Sequence, residues 1–385
     1  MNMKHLLFII LIFCSVTGGC KKNQVENTHI ITIDMTEDLK EVPFNLNDYV
    51  TDLKVIRLET NENTLMRYFS GFVGDKYIIA IENDKVLLFS SKGKFLKTIT
   101  TKGKGPQEFT QIDAWTVDEN EDFFIYHDLG KNYINKYNLH NYQFEETIPF
   151  QDNGYLNNML FIDDTTLTVL PGMFSSYGYL FFNQTIKGQI TGGIKKENRP
   201  HPGAWAGRTA LFKKYHDNSI IFQSAESDTV FRIEGTNMVP MYSFIVEKPI
   251  KNGDKTTGAY TTYLNSNEDE LLLAKFNYES EKTPTFASMN MMGSGYYSFN
   301  LKTLQTRKIE FLPLEIMDIE LGVPYISFPD KDKVLITSQA VYFKKLIEMT
   351  LKKEGIDESK KERLIKLNSE ISENDNPILI TGNWK

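Results

Sequence analysis

Residues 70–99 read SGFVGDKYIIAIENDKVLLFSSKGKFLKTI. Four apolar runs stand in this stretch: Gly71-Phe72-Val73, Tyr77-Ile78-Ile79-Ala80-Ile81, Val86-Leu87-Leu88-Phe89 and Phe95-Leu96-Lys97-Thr98-Ile99. Each is too short for a stable helix and is rich in β-branched or aromatic residues, which is the composition of strands. The separators Gly74-Asp75, Glu82-Asn83-Asp84 and Ser91-Lys92-Gly93-Lys94 are made of residues that tight hairpins need. Four strands joined by three hairpins make one blade of a β-propeller.

Working outward, the same order returns at Ile112–Val117, Asp122–Tyr126, Tyr133–Tyr137 and Tyr142–Ile148. The step from Ser70 to Ile112 is 42 residues, the length of one four-stranded blade. Fainter copies cover Asn158–Ile190, Ala210–Phe244 and Leu271–Ile309, and a sixth begins at Val323–Phe328 and Lys333–Ile336. Residues Ala340–Glu354 and Glu358–Ile371 change to helical spacing, with Gly355 as a stop and Asp357 as a start. Asn376–Gly382 then reads as a strand. The expected architecture is therefore all-β: a six-bladed β-propeller of four-stranded antiparallel blades over residues 29–385, with a helical hairpin at about 340–372 inserted in the last blade. The ring must close, since an open end exposes strand edges, and either His29–Asp34 or Leu53–Leu58 can meet Ile378–Thr381 for that purpose.

The amino terminus carries Lys4, an apolar run from Leu6 to Cys14, and a small-residue stretch ending at Cys20. This is the pattern of a secretory signal over residues 1–19, and the run is too short to span a bilayer. Thr17-Gly18-Gly19-Cys20 resembles a bacterial lipobox, apart from Thr17 in place of an aliphatic residue. The resemblance implies lipidation of Cys20, a tether over residues 20–28, and anchoring in the cell envelope, at the outer membrane; cleavage by the ordinary signal peptidase is the alternative. Acyl chains contribute about 0.8 kcal/mol per buried methylene, so a multiply acylated Cys20 would hold the protein on a membrane. Cys14 and Cys20 are the only cysteines of the 385 residues, so no disulfide can support the mature fold. With a net charge of −7, nucleic acid is not an expected partner.

Four stretches together resemble the six-bladed β-propeller lipoproteins of Gram-negative gut bacteria, whose blades look like those of NHL-repeat propellers. They are Val55-Ile56-Arg57-Leu58-Glu59-Thr60, Leu87-Leu88-Phe89 with Gly93-Lys94-Phe95, the run Gly103-Lys104-Gly105-Pro106-Gln107-Glu108-Phe109, and Asn374-Asp375-Asn376-Pro377-Ile378-Leu379-Ile380. Membership implies the fold and an envelope location. It brings no catalytic residues with it.

Candidate sites are few. Gly103–Phe109 has the glycines of a phosphate loop but lacks its Lys-Ser/Thr ending and following helix, so it reads as a connection between blades. His127-Asp128 closes the second strand of blade two, and Asp84 holds the matching place in blade one. A carboxylate there could ligate calcium in the central channel, or it could satisfy the backbone donors of the next turn. No other cofactor is expected. His140, His201 and His216 are isolated, and no Ser/His/Asp set can be assembled by spacing. Pro200–Arg208 is the recognition candidate: its prolines and glycines resist regular structure, and His201, Trp205 and Arg208 offer a stacking face with hydrogen-bond donors. Trp205 could equally plug a gap between blades three and four. Met289, Met291, Met292 and Tyr296-Tyr297 read as core. The function these features imply is a binding or scaffold propeller for a glycan, a peptide or an envelope protein. A propeller hydrolase or lyase with a channel metal is the alternative, and only the lining of the channel mouth distinguishes the two.

Overall fold

The computed structural model describes residues 30–118, 120, 122–150, 154–163, 165–172, 178–195, 211–214, 219–223, 227–282, 287–321, 326–330 and 332–385. Of its seven sheets six are the blades of a propeller, and the seventh is a two-stranded ribbon, Leu314–Ile316 with Ile319–Leu321. Counting strands A to D outward from the axis, blade one is Gly71–Val73, Tyr77–Ile81, Lys85–Ser90 and Phe95–Thr101. Blade two is Ile112–Asp118, Phe123–Asp128, Tyr133–Asn138 and Gln143–Pro149. Blade three is Leu156–Asp163, Thr166–Pro171, Tyr179–Thr185 and Ile190–Lys195, and blade four is Leu211–Lys214, Ile220–Gln223, Thr229–Glu234 and Asn237–Ile245. Blade five is Lys255–Ser266, Glu270–Lys282, Ala287–Asn300 and Gln305–Phe311. Blade six takes strands A to C from Ile326–Asp330, Lys333–Ser338 and Ile378–Trp384, and its outermost strand from Val50–Arg57 near the other terminus.

The central strands read as unbroken apolar runs because both faces of each blade are covered. Ile78, Ala80, Leu87 and Phe89 of blade one pack against Ile56, Leu335 and Leu379 of blade six, while Ile79, Val86 and Leu88 pack against Phe124, Tyr126 and Tyr137 of blade two. Alternate residues of one strand therefore serve opposite seams. The other four seams have their own buried clusters, so the core is six separate walls and not one mass.

Of the two expected amino-terminal segments, the second closes the ring and the first does not. Val50–Arg57 pairs antiparallel with Ile378–Trp384, with Arg57 opposite Ile378 and Val50 opposite Trp384. Ile31–Asp34 instead lies parallel to strand D of blade four, and Val42–Phe44 parallel to strand D of blade five, so those two blades gain an outer strand. The seam of blades five and six is held by stacked rings: Tyr49 lies 4.4 Å from Phe44 and 5.4 Å from Trp384. The Tyr49 hydroxyl donates to Glu270 at 2.6 Å, and burial together with that carboxylate pushes its pKa well up. Arg307 completes the group as the ion-pair partner of Glu270.

Closure is locked by Asn376, which is buried at the start of the terminal strand. Its amide nitrogen donates to the carbonyls of Glu59 and Thr64, each at 3.1 Å, and its side-chain oxygen accepts from the Met66 backbone at 2.8 Å. The backbone N–H of Asn376 donates to Thr60 Oγ1 at 2.9 Å. Asn376→Ala would orphan the Met66 N–H and the Thr64 carbonyl, while the Glu59 carbonyl keeps the Thr64 hydroxyl at 2.7 Å, and the expected loss is about 2–3 kcal/mol of unfolding free energy, read by urea denaturation. Deleting residues 377–385 removes strand C from the middle of blade six, and soluble yield should collapse; a well-folded truncated protein would refute this account of closure. Gly93→Ala tests the neighbouring contact. Its φ is +82° and an added Cβ would fall 2.0 Å from the Arg57 carbonyl oxygen, so a loss of about 2 kcal/mol or more is expected from the same measurement.

Candidate functional site

The meander of each blade puts A–B and C–D turns on one side of the ring and B–C and D–A connections on the other. The first side is plain, with connections of two to five residues, tied between neighbours by Lys333–Asp75 at 2.7 Å and Lys76–Asp122 at 2.9 Å. The second side carries the long segments: every D–A connection has six to fifteen residues, and the B–C connection of blade six, residues 339–377, contains both helices. Blade five extends toward the same side. Its B and C strands run for 13 and 14 residues where those of blade one have five and six. The part beyond Ala274 and Tyr296 adds about 25 Å at roughly 3.3 Å per residue. Tyr260 stacks on Phe276 at 5.2 Å along it.

The helical hairpin is part of the core. Helix α1, Ala340–Leu351, buries Ala340, Phe343, Ile347 and Thr350 on one stripe, in the same cluster as Ile336 and Ile380 of blade six. Helix α2, Glu358–Glu370, is capped by Asp357, whose carboxylate accepts from the backbones of Ser359 and Lys360. These bonds, that of the Ser359 hydroxyl first, hold the Asp357 pKa below the usual carboxylate range. At the far end, Lys344 Nζ donates to the carbonyls of Asn368 and Ile371, and Arg57 pairs with Glu370 at 2.8 Å.

Between this hairpin and the blade-six-to-one connection lies a cleft of about 520 Å³. Ile336, Leu321, Leu346, Phe69 and Pro377 give it apolar walls, Thr337, Ser338 and Gln339 a polar side, and Tyr68 and Tyr342 its most open rings, 60% and 54% exposed. Gln339 Nε2 donates to the Arg67 carbonyl at 2.8 Å, which joins the two banks. Sequence reasoning missed this site. Only the Asn376-Pro377 motif at its edge was legible.

The sequence candidates fall elsewhere. His127 is fully buried, with Nδ1 2.6 Å from Asp113 Oδ1 and its ring 4.8 Å from Phe150. The other oxygen of Asp113 accepts from the Leu156 backbone of blade three at 2.7 Å, and Nε2 of His127 has no hydrogen-bond partner among the described residues. A ring with no exposed surface cannot meet a substrate as a base; this pair pins strand A of blade two to strand A of blade three. Asp128 is equally enclosed. Its carboxylate accepts from the Thr110 backbone at 3.0 Å, from Gln111 and Gly130 at 3.3 and 3.2 Å, and from the Thr110 hydroxyl. Asp84 is exposed. In the Gly103–Phe109 run, the Gly105 and Glu108 carbonyls accept from Lys131 and the Gln107 carbonyl accepts from Thr100 and Tyr137, while Phe109 is buried in the seam. His201, Trp205 and Arg208 lie outside the described residues, as do Cys20 and the side chains of Met289, Met291 and Met292. Tyr296 and Tyr297 pack into the seams on either side of blade five. Among the described residues no three His, Cys, Asp or Glu side chains are grouped to hold a metal ion.

Residues 30–383 match DUF4934, a domain of unknown function. The chain belongs to this family. A crystal structure of a protein from Bacteroides fragilis described as exported aligns with a TM-score of 0.59 at 15% identity, covering 92% of this chain and 99% of that one. A DUF4221 member from Bacteroides vulgatus aligns at 9% identity with a TM-score of 0.42, over 87% and 96% of the two chains. At such identities the first likeness is one of fold. No curated protein matches. No helix among the described residues of this DUF4934 protein is long and apolar enough to cross a membrane.

Three substitutions test how far each carboxylate is enclosed, Asp113 being the buried one. Asp113→Ala should cost about 2–4 kcal/mol of stability, because it strips the His127 ring and a buried N–H of their partner, whereas exposed Asp84→Ala should stay within about 0.5 kcal/mol. Asp228, in the B–C connection of blade four, has its pKa raised by burial. A raised carboxyl favours the folded state while protonated and opposes it as pH climbs through the folded value. Asp228→Asn should therefore melt above the parent at pH 7, with the gap closing toward pH 4 in a thermal scan.

Proposed function

We propose that this protein is an exported, lipid-anchored binding propeller, which offers its elaborated side to a glycan, a peptide or a partner protein of the envelope. The observation that carries the reading is one-sidedness: the helical hairpin, the blade-five extension, the longest connections and the 520 Å³ cleft share one face, while the opposite face is short turns. Binding residues concentrate on loops held by a rigid scaffold, and six independently packed seams supply that scaffold. The lipobox-like Thr17–Cys20 junction and the tether after it give the attachment. A binding face needs no metal, and the buried His127 and Asp128 serve the scaffold here.

Two experiments test the reading. Cys20→Ser should move the protein from the membrane fraction to the soluble periplasmic fraction and abolish incorporation of labelled palmitate. For binding, glycan and peptide arrays are probed with the soluble mature protein and two variants. One carries Tyr68→Ala, Tyr155→Ala, Ile250→Ala and Tyr342→Ala, exposed residues spread over the elaborated side; the other carries Lys187→Ala and Lys302→Ala on the plain side. Signals should fall in the first variant and persist in the second. The reverse pattern, or no signal on either array, removes the proposal.

A further inference from the structure

Within that reading, and resting on it, we infer that the cleft beside α1 is the ligand site and that its ligand is a neutral saccharide. Charge argues first. None of the ten residues that form the cleft is an Asp, Glu, Lys, Arg or His. The lining itself thus offers no charged partner for a phosphate, a carboxylate or an amine. The Arg67 guanidinium lies 5.1 Å from the centre of the Tyr68 ring, where it covers one face and leaves the other to a ligand.

Shape and chemistry argue second. The volume falls in the range of small-molecule sites, which combine apolar walls with a few polar groups. Tyr68 and Tyr342 come from two different elements, the blade-six-to-one connection and the first turn of α1, and both keep more than half their surface exposed. A large aromatic left mostly in water on a cleft rim offers a flat apolar face that suits the C–H face of a sugar ring, while its hydroxyl serves the ring substituents. Thr337, Ser338 and Gln339 form a polar side of the same cleft: Gln339 Nε2 and Ser338 Oγ donate to protein carbonyls, and the oxygens of all three side chains can accept from ligand hydroxyls, which an aliphatic ligand does not offer. Gln339 gives α1 no side-chain cap and the first turn has no acidic residue, so N–H groups there remain for ligand oxygens to accept. A saccharide satisfies both halves of this lining, whereas a purely apolar side chain satisfies only one.

The walls are held still. Phe69 and Met66 flank a connection pinned by Asn376, and Phe343 and Ile347 anchor α1 beneath Tyr342. Exposed Tyr68 and Tyr342 can therefore be changed without threatening the fold.

The test uses the soluble mature protein, with neutral glycans, acidic glycans and peptides arrayed side by side, followed by titration calorimetry on the strongest neutral binder. Tyr68→Ala and Tyr342→Ala should each weaken that binding at least about tenfold. Tyr68→Phe and Tyr342→Phe, which keep the ring face, should retain most of it, and all four variants should melt with the parent. If neutral glycans bind but neither alanine variant matters, the assignment of the cleft is overturned and the binding propeller stands. If these tyrosines control the binding of acidic glycans or peptides only, the ligand class is overturned and the face remains. Absence of binding to any array overturns both.

Discussion

The structure depends on one constraint: a blade has two faces, and both must be covered by another blade. A lone sheet with Val86-Leu87-Leu88-Phe89 at its centre would leave one set of side chains in water, at about 1.5–3 kcal/mol for each large residue. Only a closed ring meets the demand for every blade at once. From this follow the separate seam clusters and the use of an amino-terminal strand to finish the last blade. Two polar networks flank the closure: the Asn376 hub on one side of blade six, and the Tyr49–Glu270–Arg307 group with its stacked rings on the other.

Rigidity on that scale releases the rest of the chain for other use. The turns on the plain side are as short as hairpins allow, and the ion pairs between them are exposed ones that contribute little. On the other side, length has been added at several independent places without disturbing a seam. The hairpin α1–α2 goes further and joins a seam, since Phe343 and Leu364 are fully buried in the cluster of blades five and six. An insertion so anchored presents its outer residues at fixed positions, which is what a recognition surface requires.

Much of the fold was legible because blades one and two obey local rules: alternate runs, turn residues between them and a steady period. Blade five was less so. Its strand A, Lys255–Ser266, is Thr- and Tyr-rich but stands apart from the Leu271–Ile309 copy, and its B and C strands outrun the five-residue pattern, so the extension left no periodic mark. The parallel outer strands Ile31–Asp34 and Val42–Phe44 are paired with residues about 200 and 270 positions away, a relation that sequence spacing does not carry. The site fared similarly. His127 and Asp128 drew attention as ionisable neighbours, yet the partner that explains His127 is Asp113 on another strand, and the cleft is assembled from residues between Tyr68 and Pro377 that only closure brings together.

The Val50–Arg57 strand waits for Ile378–Trp384, which is synthesised more than 300 residues later. Until that late segment arrives, blade six has neither its third strand nor a partner for its fourth, and the seams on both sides stay open. Contacts this distant in sequence form slowly, so the chain is held in an unfinished, pliable state for as long as its tail is withheld. The order of synthesis thus governs assembly: the topology itself keeps the ring from setting before the last residues have been made.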